Sequence, residues 1–270
     1  MTLLAQYSFS LMWPPIVALI IAVVGAAYIV LIGPRSGKRF GGAATGGETA
    51  YFFTGLFLYW VAWGTPFHLI GEVYLMGAHM VTMLLATTFA PPMLLLGLPQ
   101  SVVDWALGFP VVKRVFGFLT KPVLTLALFN LLFFLWHTPS LYDRAIASDP
   151  VHYVQYATLI LVGLLFWWPV VTRSKVLPQM RPLAVMGYTF ATIVMQTVLF
   201  GPIMILEEPL YKTYLHVPSL IGLSTLEDQQ LGHLLMEVTS PLMLLVWFSK
   251  AVTRLIRESG APTRASAPDQ

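Results

Sequence analysis

The chain reads as an all-α integral membrane protein: a seven-transmembrane-helix bundle with its N-terminus outside and its C-terminus cytoplasmic. Three observations predict this. Hydrophobic residues make up 57% of the 270 residues and charged residues only 10%, against about 25% charge in a soluble domain. Seven apolar stretches approach the roughly 20 residues that one crossing needs. The basic residues alternate from loop to loop, as the retention of Lys and Arg in the cytoplasm requires. Mean hydropathy is +0.75.

The spans are expected near residues 14–33, 49–65, 71–97, 122–136, 151–171, 183–206 and 231–249. Pro14-Pro15 opens the first, and the N-terminus lacks the basic region and cleavage site of a signal peptide. Pro91-Pro92 should kink or end the third. Loops one, three and five and the C-terminus hold 13 of the 15 Lys and Arg residues, including Arg35, Lys113, Arg173 and Arg254. Loops four and six hold only Arg144 and Lys212. Residues 1–258 therefore form one transmembrane domain, and 259–270 read as a disordered cytoplasmic tail. The net charge of +3 sits in short loops and needs no nucleic acid as a partner. The bilayer is the partner that the composition demands, and a homo-oligomer stays open.

Cysteine is absent. That removes disulfides, zinc–thiolate sites, iron–sulfur clusters and cysteine nucleophiles. Soft-metal chemistry is left to 12 Met and 6 His. On the expected topology every histidine falls in the outer half: His68 in loop two, His79 in the third span, His137 closing the fourth. His152 opens the fifth, His216 lies in loop six and His233 opens the seventh. Glu72, Met76, His79, Met80, Met83 and Thr87 share one face if the third span is a continuous helix. Imidazole and thioether suit Cu(I), whereas Mg or Ca need oxygen ligands. Glu237, one turn after His233 and inside a span, needs a partner. The expected partner is His233 or a histidine of another helix. Asp228 or Glu237 beside an imidazole would fix its tautomer.

Other activities are set aside. Lys250 lies at the inner end of the seventh span, where it cannot form a retinal Schiff base in mid-membrane. A di-haem cytochrome needs histidines toward both faces. No nucleotide-binding, zinc-protease or serine-nucleophile motif is present, and no enzyme activity is expected.

The ordered set Ala78-His79-Met80, Ala90-Pro91-Pro92, Leu96-Gly97-Leu98-Pro99, His137-Thr138-Pro139-Ser140-Leu141-Tyr142-Asp143, His152 with Leu165-Phe166-Trp167-Trp168-Pro169, and Leu226-Glu227-Asp228-Gln229-Gln230-Leu231-Gly232 covers roughly residues 50–250. In it the chain resembles the seven-helix CtaG-type cytochrome c oxidase assembly factors associated with caa-type oxidases. The resemblance implies a multi-pass protein of the bacterial plasma (inner) membrane. It also implies that the protein supplies or guards copper for the haem–copper centre of the oxidase catalytic subunit. His79, His137, His152 and Asp228 fall at the family's recurrent polar positions. Where many members carry further histidines this chain has Met83 and Gln155-Tyr156.

The combined expectation is a non-enzymatic metallochaperone that takes Cu(I) on its outer side. His79 and Met83 hold the ion, Met76 or Met80 makes first contact, and His137, His152 and His233 converge from neighbouring helices. Asp228 and Glu237 balance charge or orient the rings. Two alternatives accompany it. One is a metal-free scaffold that binds the nascent oxidase subunit through exposed Trp60, Trp63, Trp167 and Trp168. The other is a haem-binding membrane protein with His79 or His152 as axial ligand.

Overall fold

The computed structural model describes residues 8–33, 40 and 42–260. Among these, every regular element is helical. In chain order they are α1 Phe9–Met12, α2 Pro15–Ile32, α3 Gly46–Trp63, α4 Pro66–Val73 and α5 Met76–Leu84. A π-helical turn, Leu85–Phe89, leads into α6 Ala90–Leu96. Then come α7 Gln100–Ala106, α8 Pro110–Leu119, α9 Pro122–Trp136, α10 Pro139–Ile146, α11 Asp149–Val171 and α12 Pro182–Met204. A short 3₁₀ turn, Lys212–Tyr214, precedes α13 Thr225–Gly260.

Proline sets most of the starts. Pro15, Pro66, Pro110, Pro122, Pro139, Pro150 and Pro182 stand in the first turn of their helices. There the missing N–H has no intrahelical partner to lose, and the fixed φ favours the helix. α3 begins with a capping box instead: Thr45 accepts from the Glu48 N–H, and the Glu48 carboxylate accepts from the Thr45 N–H.

Among the described residues, five helical stretches are long and apolar enough to cross a membrane: Pro15–Ile32, Met76–Leu96, Asp149–Val171, Pro182–Met204 and Thr225–Ser259. A sixth is reached if α8 and α9, bent by 58° at their junction, count as one. Seven crossings were expected, and the shortfall lies at residues 49–65. That segment is helical, as α3, but its first turn is Gly46, Gly47, Glu48 and Thr49, which lowers its apolar content. Ser259 and Gly260, expected to open the tail, complete α13 instead. Residues 261–270 and the loop-one cations Arg35, Lys38 and Arg39 lie outside the described residues.

α13 packs against α12 and α5, α11 against α9 and α6, and α3 against α6. The α5–α13 contact depends on two glycines. A Cβ on Gly232 would stand 3.1 Å from the Gly77 Cα, so small residues let the two backbones approach closely. This brings the helices that carry His79 and His233 together. The third span is not one regular helix. It breaks between Val73 and Met76 and passes through the π turn before Pro91-Pro92. The carbonyls freed there are not orphaned. Trp167 Nε1 donates to the Thr87 carbonyl at 2.9 Å, and the Tyr59 hydroxyl donates to the Ala86 carbonyl at 3.0 Å. In hydrocarbon such replacement donors are what make a broken helix tolerable. Trp167 and Trp168, expected on the surface, are therefore core residues, 1% and 6% exposed.

Candidate metal-binding centre

Four histidines meet inside one end of the bundle. His79 of α5, His137 at the C-cap of α9, His152 in the first turns of α11 and His233 of α13 are all buried. They sit in the interior and not on the lipid-facing perimeter.

Two of them are held in the same way. His137 Nδ1 lies 2.6 Å from the Phe133 carbonyl, and His233 Nδ1 lies 2.7 Å from the Gln229 carbonyl, each one turn back on its own chain. A carbonyl only accepts, so each Nδ1 carries the proton. Each Nε2 then presents a lone pair, and both Nε2 atoms are buried without a partner. His152 is tied through a side chain: its Nδ1 is 2.8 Å from Glu72 Oε1. Its Nε2 is again buried and unpartnered. Neither ring nitrogen of His79 has a partner. Buried polar atoms are nearly always paired, and a histidine whose far nitrogen is anchored while the near one is free has the build of a metal ligand.

Among these four the rings form two pairs, and a fifth ring, that of His68, lies 5.8 Å from His152. The His79 and His152 centroids are 6.3 Å apart, and those of His137 and His233 are 6.5 Å apart. Tyrosines lie between and around them. Tyr142 meets His79 edge-on at 5.2 Å, Tyr142 and Tyr211 are 4.3 Å apart, and Tyr211 lies parallel to His233 at 6.0 Å. Their hydroxyls close this end: Tyr142 and Tyr214 share a hydrogen bond of 2.9 Å, Tyr214 donates to the Gly71 carbonyl and Tyr211 to the His137 carbonyl. Among the described residues, no group of three or more His, Asp or Glu is placed to hold one ion together.

The remaining expected site residues divide. Met76, Met80 and Met83 are fully buried in the main apolar core. Asp228 spends both carboxylate oxygens on the start of α5, accepting from the Met76 N–H at 2.6 Å and the Gly77 N–H at 3.1 Å. It caps that helix from α13. Glu237 does not orient His233. Its Oε1 accepts from the Thr197 hydroxyl at 2.5 Å, and its Oε2 is buried without a partner.

Glu72 is the residue whose role the sequence concealed. The break before Met76 takes it off the α5 face and into α4. There its Oε1 accepts from His152 and from His68 Nε2, each at 2.8 Å, and from the Tyr156 hydroxyl at 3.2 Å. Burial works against its charge, but the hydrogen bonds from His152 and His68 prevail and hold the carboxyl well below the usual carboxylate range. The i, i+4 spacing of His68 and Glu72 was the one signal available in the sequence.

Fold and site together make this a helical, multi-pass membrane protein with buried imidazoles gathered at one end. The family comparison narrows it. The family model for the cytochrome c oxidase caa3 assembly factor (Caa3_CtaG) matches residues 26–258, so the chain belongs to that family. No curated protein and no solved structure matches it. As a member of an oxidase assembly family, it has the oxidase and the lipid bilayer as its partners.

Proposed function

We propose that the chain assists oxidase assembly by holding Cu(I) and passing it to the haem–copper centre of the catalytic subunit, without catalysing a reaction itself. The distribution of Lys and Arg in the sequence supports an outer-face position for the histidine end in the bacterial plasma membrane. One observation carries the reading: four buried imidazoles keep free nitrogens in a water-poor interior. Leaving such groups unpaired is costly, and a soft monovalent ion accepted by neutral imidazoles removes that cost. Met83 lies one turn below His79 and Met76 about one turn above it on α5, close to the ion's path. Transfer proceeds by ligand exchange, because a site with few ligands leaves room for an acceptor's ligand.

That no three His, Asp or Glu among the described residues are placed to share one ion favours a second reading, a metal-free scaffold for the nascent subunit. One experiment separates the two. A strain lacking the protein is complemented with wild type or with His79, His137, His152 and His233 all replaced by Leu, at matched membrane levels. Copper in the purified oxidase is then measured. The copper reading expects an oxidase depleted of copper in the variant strain. Full copper content would leave the scaffold.

A further inference from the structure

The four imidazoles do not make one site. We infer that the chain holds two Cu(I) ions at separate two-coordinate stations, an outer one on His79 and His152 and an inner one on His137 and His233. This rests on the Cu(I) reading above and adds its stoichiometry and order.

Three independent features point the same way. The first is spacing. Two imidazoles joined through one metal, with bonds of about 2.0 Å on each side, have centroids roughly 6 Å apart. Both pairs show that separation, at 6.3 and 6.5 Å. The second is the partition between the pairs. Tyr142 and Tyr211, packed on each other at 4.3 Å, stand between His79 and His233. Among the described residues, no three His, Asp or Glu gather around one point.

The third is charge. A cation on neutral ligands in a medium of low dielectric needs an anion close by. Each pair has its own. Glu72 binds the back of His152 through Nδ1. Glu237 follows His233 by one helical turn, on the same face of α13, with Oε2 buried and free. Two other carboxylates of this region are already occupied, Asp228 by the start of α5 and Asp143 by Lys212 and Thr213. Two monovalent ions are therefore matched by two carboxylates.

The rings of both pairs are similarly buried, His79 and His152 at 1% and 7% exposed and His137 and His233 at 5% and 0%. What marks the outer pair is its backing by His68 and Glu72, whose side chains are 17% and 24% exposed. An ion moving from the outer pair to the inner one must pass Tyr142 and Tyr211: its Cu–N bonds to His79 and His152 break, and bonds to His137 and His233 form beyond them. The metal remains Cu(I), and no proton or electron is transferred.

The test is a Cu(I) titration of the purified full-length protein in detergent, against a chromophoric chelator under anaerobic conditions. Wild type is expected to bind two ions per chain. His79→Leu with His152→Leu, and separately His137→Leu with His233→Leu, are each expected to retain one. Leu keeps the sites filled with apolar volume. The corresponding Gln pairs give a second set of variants should a Leu pair fail to fold. The outer-pair variant should load its remaining ion more slowly than wild type. A wild type that binds one ion, lost in both variants, overturns the two-station arrangement while leaving the Cu(I) reading intact. A wild type that binds no copper overturns both.

Discussion

The two ends of the bundle treat buried polar groups in opposite ways. At the end away from the histidines, charged side chains are tied to partners on other elements. Glu48 accepts from Thr45 and from Arg173, which also donates to the Leu96 carbonyl. Asp104 gathers the Ser174 hydroxyl and the Lys175 and Val176 N–H groups. Arg254 donates to Gln179 Oε1 and to the Met180 carbonyl, both at 2.6 Å. At the histidine end the tyrosine hydroxyls and Glu72 are paired, but both nitrogens of His79 and the Nε2 atoms of His137, His152 and His233 are left free. The same chain solves the problem of burying polarity at one end and leaves it open at the other. Pairing at the first end fixes the helices, and the free nitrogens at the second supply chemistry. Stability is given up where function needs unsaturated ligands.

Substitutions can break or sharpen this contrast. The largest effect is expected where the paired end is most tightly packed. A Cβ at Gly97 would stand 2.5 Å from the Phe52 backbone nitrogen, so Gly97→Ala should cost about 3 kcal/mol through overpacking of α3 against α6. Unfolding in mixed detergent would measure it, and an unchanged midpoint would show the two helices to be loosely joined.

The next effect has the opposite sign. His79→Leu exchanges an imidazole with no hydrogen-bond partner for an apolar side chain. It should stabilise the metal-free protein by about 1–2 kcal/mol, even as copper binding weakens. A destabilised His79→Leu protein would mean that the ring is structurally satisfied and the contrast false.

A smaller loss, about 1 kcal/mol, is expected for Tyr59→Phe, which removes the donor to the Ala86 carbonyl at the π turn. The smallest effect concerns pH. Burial alone would raise the Asp104 carboxyl, but hydrogen bonds from Ser174, Gln100 and the Val176 and Lys175 N–H groups outweigh it and lower its pKa. A lowered folded-state pKa stabilises the fold at pH above the unfolded value of about 3.9 and is lost as pH falls through the folded one. Protease cutting in the segment 173–177 should therefore begin only below that ordinary range. In Asp104→Asn it should already be present at neutral pH.

Much of the frame was legible in the sequence. Apolar length located the first, fifth and sixth spans to within a few residues, because prolines at 15, 150 and 182 mark their starts. The break that frees Glu72 was not legible: Tyr74 and Leu75 carry no Pro or Gly to announce it. Asp228 and Glu237 were read as charges for the metal. Yet a carboxylate near a helix start can equally serve backbone N–H groups, and only the fold shows Asp228 doing so. Topology put His79, His137, His152 and His233 in the same half of the membrane, but helix order in the bundle, which decides whether they meet, is not readable from sequence. Their division into pairs was not legible either, because it depends on ring orientation and on the backbone carbonyls that take up Nδ1. The tyrosine wall was missed for the same reason.

The central claim is that buried imidazoles, two to each ion, hold Cu(I) at this end. X-ray absorption at the copper edge of the Cu(I)-loaded protein tests it most directly. Two nitrogen neighbours per copper with outer-shell scattering from imidazole rings are predicted, and this signature should persist in both pair variants at half the loading. A first shell dominated by sulfur, or by three or more nitrogens, would contradict it.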